Sequence, residues 1–176
     1  MRTALSIAGV AILVLTAAGT ALAQGSGAEA RLKQLNITLP ADQAPAANFV
    51  NSVQAGKLLF LSGNTPGGQW PLKGKVGKDL TIEQGYDSAR QTGLIMLGKI
   101  RTALGSLDRV KRIVKVLGMV NSADGFSDQP KVVNGFSDLM VEVFGEAIGK
   151  HARSAVGMAG LPGNAPIEVE MIVEVE

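Results

Sequence analysis

Residues 165–176 read APIEVEMIVEVE. From Ile167 onward the side chains alternate with a period of two. Ile167, Val169, Met171, Val173 and Val175 therefore share one face of a strand, and Glu168, Glu170, Ile172, Glu174 and Glu176 share the other. An edge strand with one wet face explains this pattern with no function attached. A channel lined by solvent or by a second subunit explains it equally well.

Working outward, the turn Leu161-Pro162-Gly163-Asn164 connects this strand to an earlier one predicted over Ala152–Met158. Further upstream, Thr81-Ile82-Glu83-Gln84 has the form of a capping box, in which a threonine hydroxyl and a glutamine amide satisfy each other's backbone. A long helix starts there and stops at Gly105. Its apolar stripe is Tyr86, Ala89, Gly93, Met96, Leu97, Ile100 and Leu104. Val110–Val120 leaves few polar gaps and reads as the strand this helix covers, and Gln129–Phe144 reads as a second helix with an early proline and a terminal Gly145. Nearer the N-terminus, Phe49–Gln54 and Lys57–Ser62 predict two strands hinged at Ala55-Gly56. The run Leu58–Leu61 suits a strand buried on both faces, and Gln69–Gly77 is expected to add a hairpin partner. Ala28–Gln34 has helix-forming composition and Pro40–Pro45 reads as an extended connection.

The order β-β-β-α-β-α-β-β defines an α+β mixed sheet with two helices packed on one face. Two helices cannot cover both faces of a sheet whose strands are this apolar. The open face is expected to pack on another subunit, with closed cyclic symmetry as the usual solution.

Composition narrows the chemistry. The 176 residues carry 17 Lys and Arg against 15 Asp and Glu, a net charge of +2, too small for the basic face that phosphate-backbone binding requires. With no cysteine there is no disulfide framework or thiolate nucleophile. With one histidine there is no two-histidine metal or acid/base pair. No metal cluster and no nucleotide-cradling glycine loop stand out, so chemistry must come from carboxylates, arginine, hydroxyls or backbone.

Residues 1–23 have the layout of a secretory signal: Arg2, an apolar stretch from Ala4 to about Leu15, and a small-residue exit ending Ala21-Leu22-Ala23. Cleavage is expected after Ala23. The alternative, a membrane anchor, needs an apolar core of about 20 residues, longer than the one here. The expected organisation is a signal at 1–23, an N-terminal extension at 24–45 and one domain at 46–176, secreted to a bacterial periplasm and free of the membrane once the signal is removed.

The succession Asn48-Phe49-Val50-Asn51-Ser52-Val53, Leu59-Phe60-Leu61-Ser62-Gly63-Asn64-Thr65-Pro66, Arg153-Ser154-Ala155-Val156, Leu161-Pro162 and Ile167-Glu168-Val169-Glu170 resembles the RidA (YjgF) family of enamine/imine deaminases. The likeness runs from about Ala46 to the C-terminus. It implies a chorismate-mutase-like fold, a homotrimer, and sites in clefts between subunits. It also implies a cofactor-independent reaction that converts a small 2-imino or 2-enamino acid to a 2-oxo acid and ammonia.

Carried over position by position, the resemblance implies that Arg153 grips the substrate carboxylate and that Glu168 positions or activates water. Backbone groups at Ala155, where the family often has cysteine, would polarise substrate and water. Ser62 and Asn134 fall at polar site-lining positions, and Phe49 stands where the family often has tyrosine, so a hydroxyl is missing. Read without the resemblance, Arg153 is a surface or interface arginine paired with a carboxylate, such as Glu168 across adjacent strands. His151, two residues before Arg153, adds positive potential to the cleft or is incidental. A non-catalytic trimer that binds a small carboxylate, or stabilises other proteins, is the rival function. A ribonuclease of two-histidine design is disfavoured by the single histidine and the balanced charge.

Overall fold

A computed structural model describes residues 27–176. The signal and cleavage site expected over residues 1–23 lie outside the described residues. The chain forms α1 (Ala28–Gln34), β1 (Ser52–Ala55), β2 (Leu58–Asn64), α2 (Ile82–Leu104), β3 (Val110–Asn121), α3 (Gln129–Phe144), α4 (Glu146–Gly149), β4 (Ala152–Met158) and β5 (Ile167–Val175). Among the described residues no helix is long and apolar enough to cross a membrane.

The five strands lie in the order β1-β2-β5-β3-β4, antiparallel except for the parallel β3–β4 pair that α3 connects. β5 is therefore not an edge strand. It runs through the sheet between β2 and β3, and its wet face exists because the sheet has helices on one side only. Ile167, Val169, Met171, Val173 and Val175 are buried against the helices as the alternation requires. β2 is likewise two-faced: Leu59 and Leu61 are buried, while Phe60 remains 41% exposed in the single chain, contrary to burial on both sides. The expected hairpin strand at Gln69–Gly77 is absent. Only Val76 makes isolated bridges, to Leu80 and Ser122, within a loop whose Gly74 and Gly77 take positive φ.

α2 begins at its predicted cap, where the Thr81 hydroxyl accepts from the Gln84 amide at 3.2 Å and the Thr81 amide donates to Gln84 Oε1 at 2.9 Å. It ends at Gly105. Ala89, Met96, Leu97 and Ile100 are fully buried against the sheet and α3. Close approach of α2 and α3 depends on Gly135, since a Cβ there would strike the backbone carbonyl of Tyr86. The segment expected as an extension contributes directly to the core. Leu32 of α1 is buried, Glu29 makes a two-pronged ion pair with Arg101, and Asp42 accepts from Lys99 at 2.9 Å and Asn51 at 3.0 Å.

The open face carries Phe60, Leu117, Met119, Val156 and Ile172, with Phe49 and Val53 beside them. Phe49, Val53, Phe60 and Val156 are all at least 40% exposed. This is the uncovered apolar face that the two-helix arrangement requires.

Candidate functional site

The predicted site residues fall into two groups on opposite faces of the sheet. Arg153 stands on edge strand β4 in register with Val116, a buried residue of the helix-covered face, and so points toward α3. There its Nη1 donates to Asn134 Oδ1 at 2.8 Å and to Ser137 Oγ at 3.0 Å. Asn134 and Ser137 are three residues apart on α3, and that helical spacing turns both toward one partner. Among the described residues, Arg153 Nε and Nη2 take no protein hydrogen bond. They form the planar edge of the guanidinium that matches a carboxylate with two parallel bonds.

The polar chain continues past Arg153. Ser137 Oγ lies 3.1 Å from His151 Nε2, and His151 Nδ1 lies 2.6 Å from the carbonyl oxygen of Gly149. A carbonyl only accepts, so Nδ1 carries the proton and Nε2 accepts the serine hydroxyl. Burial pushes the His151 pKa down. The Gly149 bond opposes this and the nearby Arg153 charge adds to it. His151 is thus half-buried and favours the neutral form, which removes the positive potential expected of it. Ser137 carried no signal of its own in the sequence, where His151 read as a source of positive potential or as incidental. The only signals were helical spacing from Asn134 and the i, i+2 relation to Arg153.

Ala155 follows on the same face of β4, in register with Gly118 and partly buried against the core. Its side chain is therefore packing. Only the backbone of this edge strand is placed to act, because one row of its hydrogen-bonding groups has no strand partner among the described residues.

Glu168, Ser62 and Phe49 belong to the other face. Glu168 is in register with Met119 of β3, and its carboxylate occupies the space beside Gly63 of β2, where a Cβ would collide with it. Burial pushes the Glu168 pKa up, and the Glu170 carboxylate two residues along raises it further. Ser62 donates to the Val50 carbonyl at 2.7 Å, tying β2 to the segment that carries Phe49. Phe49, Val53, Phe60, Ser62, Lys115 and Glu170 line a groove of about 430 Å³, and Glu168 stands further along β5. Lys115 Nζ is engaged by Ser154 Oγ at 2.8 Å.

Arg153 and Glu168 consequently do not pair across adjacent strands. β3 lies between β4 and β5, and the two side chains leave opposite faces. One chain presents an unengaged guanidinium edge beside β4 and an acidic, aromatic-flanked groove on its open face. Among the described residues no group of three or more His, Asp or Glu could hold a metal ion.

A five-stranded mixed sheet with helices on one face is the architecture of the YjgF/chorismate-mutase-like α+β fold. Residues 29–175 match the family described as "YjgF/chorismate_mutase-like, putative endoribonuclease", and the chain belongs to this YjgF/RidA-like family. The match reaches back to α1, beyond the Ala46 limit of the sequence resemblance. The chain is 46% identical over 149 residues to protein TCP17 of Trypanosoma cruzi, covering 82% of this chain and 92% of that one. It is similar to the crystal structure of the protein Atu1372, of unknown function, from Agrobacterium tumefaciens, at 39% identity and a TM-score of 0.76 over 84% of this chain and 91% of that one. A Shewanella oneidensis protein described as a "putative endoribonuclease" is similar at 31% identity and a TM-score of 0.80, over 85% and 99% of the two chains.

Proposed function

We propose that the protein is a cofactor-independent deaminase of small 2-imino or 2-enamino acids, acting in clefts between the subunits of a homotrimer. The observation that carries this reading is the clamped Arg153, whose Nη1 is held by Asn134 and Ser137 while Nε and Nη2 stay free. The separation of Arg153 from Glu168 supports a cleft built from two chains, with the β4 edge of one against the open face of the next. The exposed apolar residues on that face support the same assembly.

In this mechanism the substrate carboxylate lies on the Nε–Nη2 edge of Arg153. Glu168 of the adjacent subunit, ionised, accepts a proton from water as the water oxygen bonds to the imine carbon. That proton passes to the imine nitrogen, giving a tetrahedral 2-amino-2-hydroxy acid. The hydroxyl hydrogen is then transferred to the amino nitrogen as the carbon–nitrogen bond breaks, which releases ammonia and leaves the 2-oxo acid. Water supplies the oxygen and its two hydrogens leave with nitrogen, so no redox partner is needed. Backbone groups of β4 near Ala155 assist placement of the reacting atoms, and Phe49 offers an apolar wall in place of a hydroxyl. The signal read in residues 1–23 would deliver this activity to the periplasm.

The test is release of ammonia and 2-oxo acid from freshly generated 2-iminopropionate by the mature protein and by Arg153→Ala. Acceleration by the wild type that is lost in the variant supports the deaminase. The missing hydroxyl at Phe49 favours the second reading, a small-carboxylate-binding module. A folded trimer that binds 2-oxo acids through Arg153 and accelerates no imine would establish that reading instead.

A further inference from the structure

Arg153 is one end of a hydrogen-bond chain whose direction is set from the other end. The Gly149 carbonyl holds the proton of His151 on Nδ1, so Nε2 must accept. The single hydroxyl hydrogen of Ser137 is committed to it, which leaves the Ser137 lone pairs turned to Arg153 Nη1. We propose that His151, acting through Ser137, is a positioning residue that fixes the Arg153 guanidinium with its Nε–Nη2 edge presented to a carboxylate, so that carboxylate binding and protonation of His151 are coupled. This rests on the reading of Arg153 as the carboxylate anchor.

The pair is not a nucleophile and its base. Ser137 lies mid-helix in α3, where the backbone amides are consumed by the helix and none remains to hold an oxyanion. Its place between a neutral imidazole and a guanidinium suits orientation instead. Without Ser137, Arg153 keeps only Asn134 as a tether among the described residues; without His151, the Ser137 hydroxyl is no longer held with its lone pairs toward Nη1, and in either case the free edge samples directions that miss the ligand.

The coupling has a definite sign. A carboxylate on Arg153 offsets the positive charge that opposes protonation of His151, so it raises the His151 pKa. By reciprocity, a proton on His151 tightens carboxylate binding: Nε2 then donates to one lone pair of Ser137 while the other still accepts from Arg153 Nη1, so the tether survives the change of charge. Most other charged groups on the surrounding elements have partners: Lys131 holds Asp128 at 3.1 Å and Lys115 of β3 donates to Ser154, whereas exposed Arg112 of β3 has none among the described residues and does not act on the imidazole. On α4, Glu146 and Lys150 hold each other at 2.8 Å. On α3, Asp138 takes the Tyr86 hydroxyl at 2.9 Å and Glu142 takes Arg90 at 2.7 Å. Arg153 is the charge that dominates the imidazole.

The sequence contains one histidine, so in tag-free protein the imidazole nuclear magnetic resonance signals report His151 alone. The probe is 2-oxobutanoate, with its neutral amide as control. In the wild type, saturation with 2-oxobutanoate shifts the His151 titration to higher pH, and the amide does not. Ser137→Ala and His151→Phe weaken 2-oxobutanoate binding about tenfold and leave amide binding unchanged, while Ser137→Thr and His151→Gln, which keep an acceptor in the chain, recover most of it. Melting curves establish that each variant is folded. Should His151→Phe not fold, Ser137→Ala and the wild-type titration decide the matter. An unshifted His151 titration, or folded Ser137→Ala with wild-type affinity while Arg153→Ala loses binding, overturns the positioning role alone. Undiminished binding by Arg153→Ala overturns the anchor itself, and the positioning role with it.

Discussion

Replacing Gly63 with alanine adds one carbon to β2 at the point where the Glu168 carboxylate rests. That carbon would overlap Glu168 Oε1, the far end of a flexible side chain, so the backbone can stay in place and the carboxylate must retreat. Reaching ordinary contact requires a displacement on the order of 1 Å, and misplacement of this size costs about 100-fold in rate when the displaced group handles a proton. Gly63 has an ordinary extended φ and alanine is tolerated in a strand, so stability should change by no more than about 1 kcal/mol. The assay is steady-state deamination of 2-iminopropionate alongside chemical denaturation. Gly63→Ala should unfold at nearly the wild-type denaturant concentration, with kcat reduced about 100-fold and KM little changed, because the Arg153 half of the cleft is untouched. Wild-type kcat in the folded variant would falsify the assignment of Glu168 to the chemistry.

Two further perturbations test the energetics. Glu168 has a raised pKa, so the folded state favours its protonated form. The desolvated carboxylate destabilises the fold above the raised folded pKa, and the penalty disappears below the unfolded value. Glu168→Gln is therefore expected to abolish turnover yet raise Tm at pH 7, with the gain shrinking as pH falls through the raised folded pKa and gone below about 4. An unchanged Tm difference across that range contradicts the burial argument. Asp42 holds Lys99, whose side chain is only 7% exposed, so Asp42→Ala leaves a buried ammonium without its carboxylate. A loss of about 3 kcal/mol is expected by denaturation, and Asp42→Ala combined with Lys99→Met should recover much of it.

Element types were legible in the sequence where local chemistry decides them. The Thr81 cap, the 3.6-residue stripe of α2 and the two-residue alternation of β5 are each written in neighbouring residues. Neighbour relations were not. Alternation shows that a strand has a wet face but not which strands flank it, so β5 reads equally well as an edge or as the middle of a half-covered sheet. The apolar run Leu58–Leu61 suggested two buried faces because Phe60 is apolar for a surface that a single chain leaves uncovered. Gln69–Gly77 failed as a strand because its glycines adopt positive φ that interrupts pairing. At the site, the resemblance named Arg153, Asn134 and Glu168. The contact between Arg153 and Asn134 depends on how α3 crosses β4, and Ser137 read as one more polar residue on a helix. The division of the site between two faces follows from strand order, which no local pattern encodes.

That division is also where the account is most exposed, and mixing two inactive variants tests it. Arg153→Ala keeps the Glu168 half and Glu168→Gln keeps the Arg153 half. Unfolded together in equal amounts and refolded, they should form mixed trimers in which about a quarter of the clefts combine an intact half from each chain. Imine deamination should return to about a quarter of the wild-type rate, while each variant refolded alone stays inactive. A refolded mixture of trimers with no more activity than the separate variants would contradict a site shared between chains.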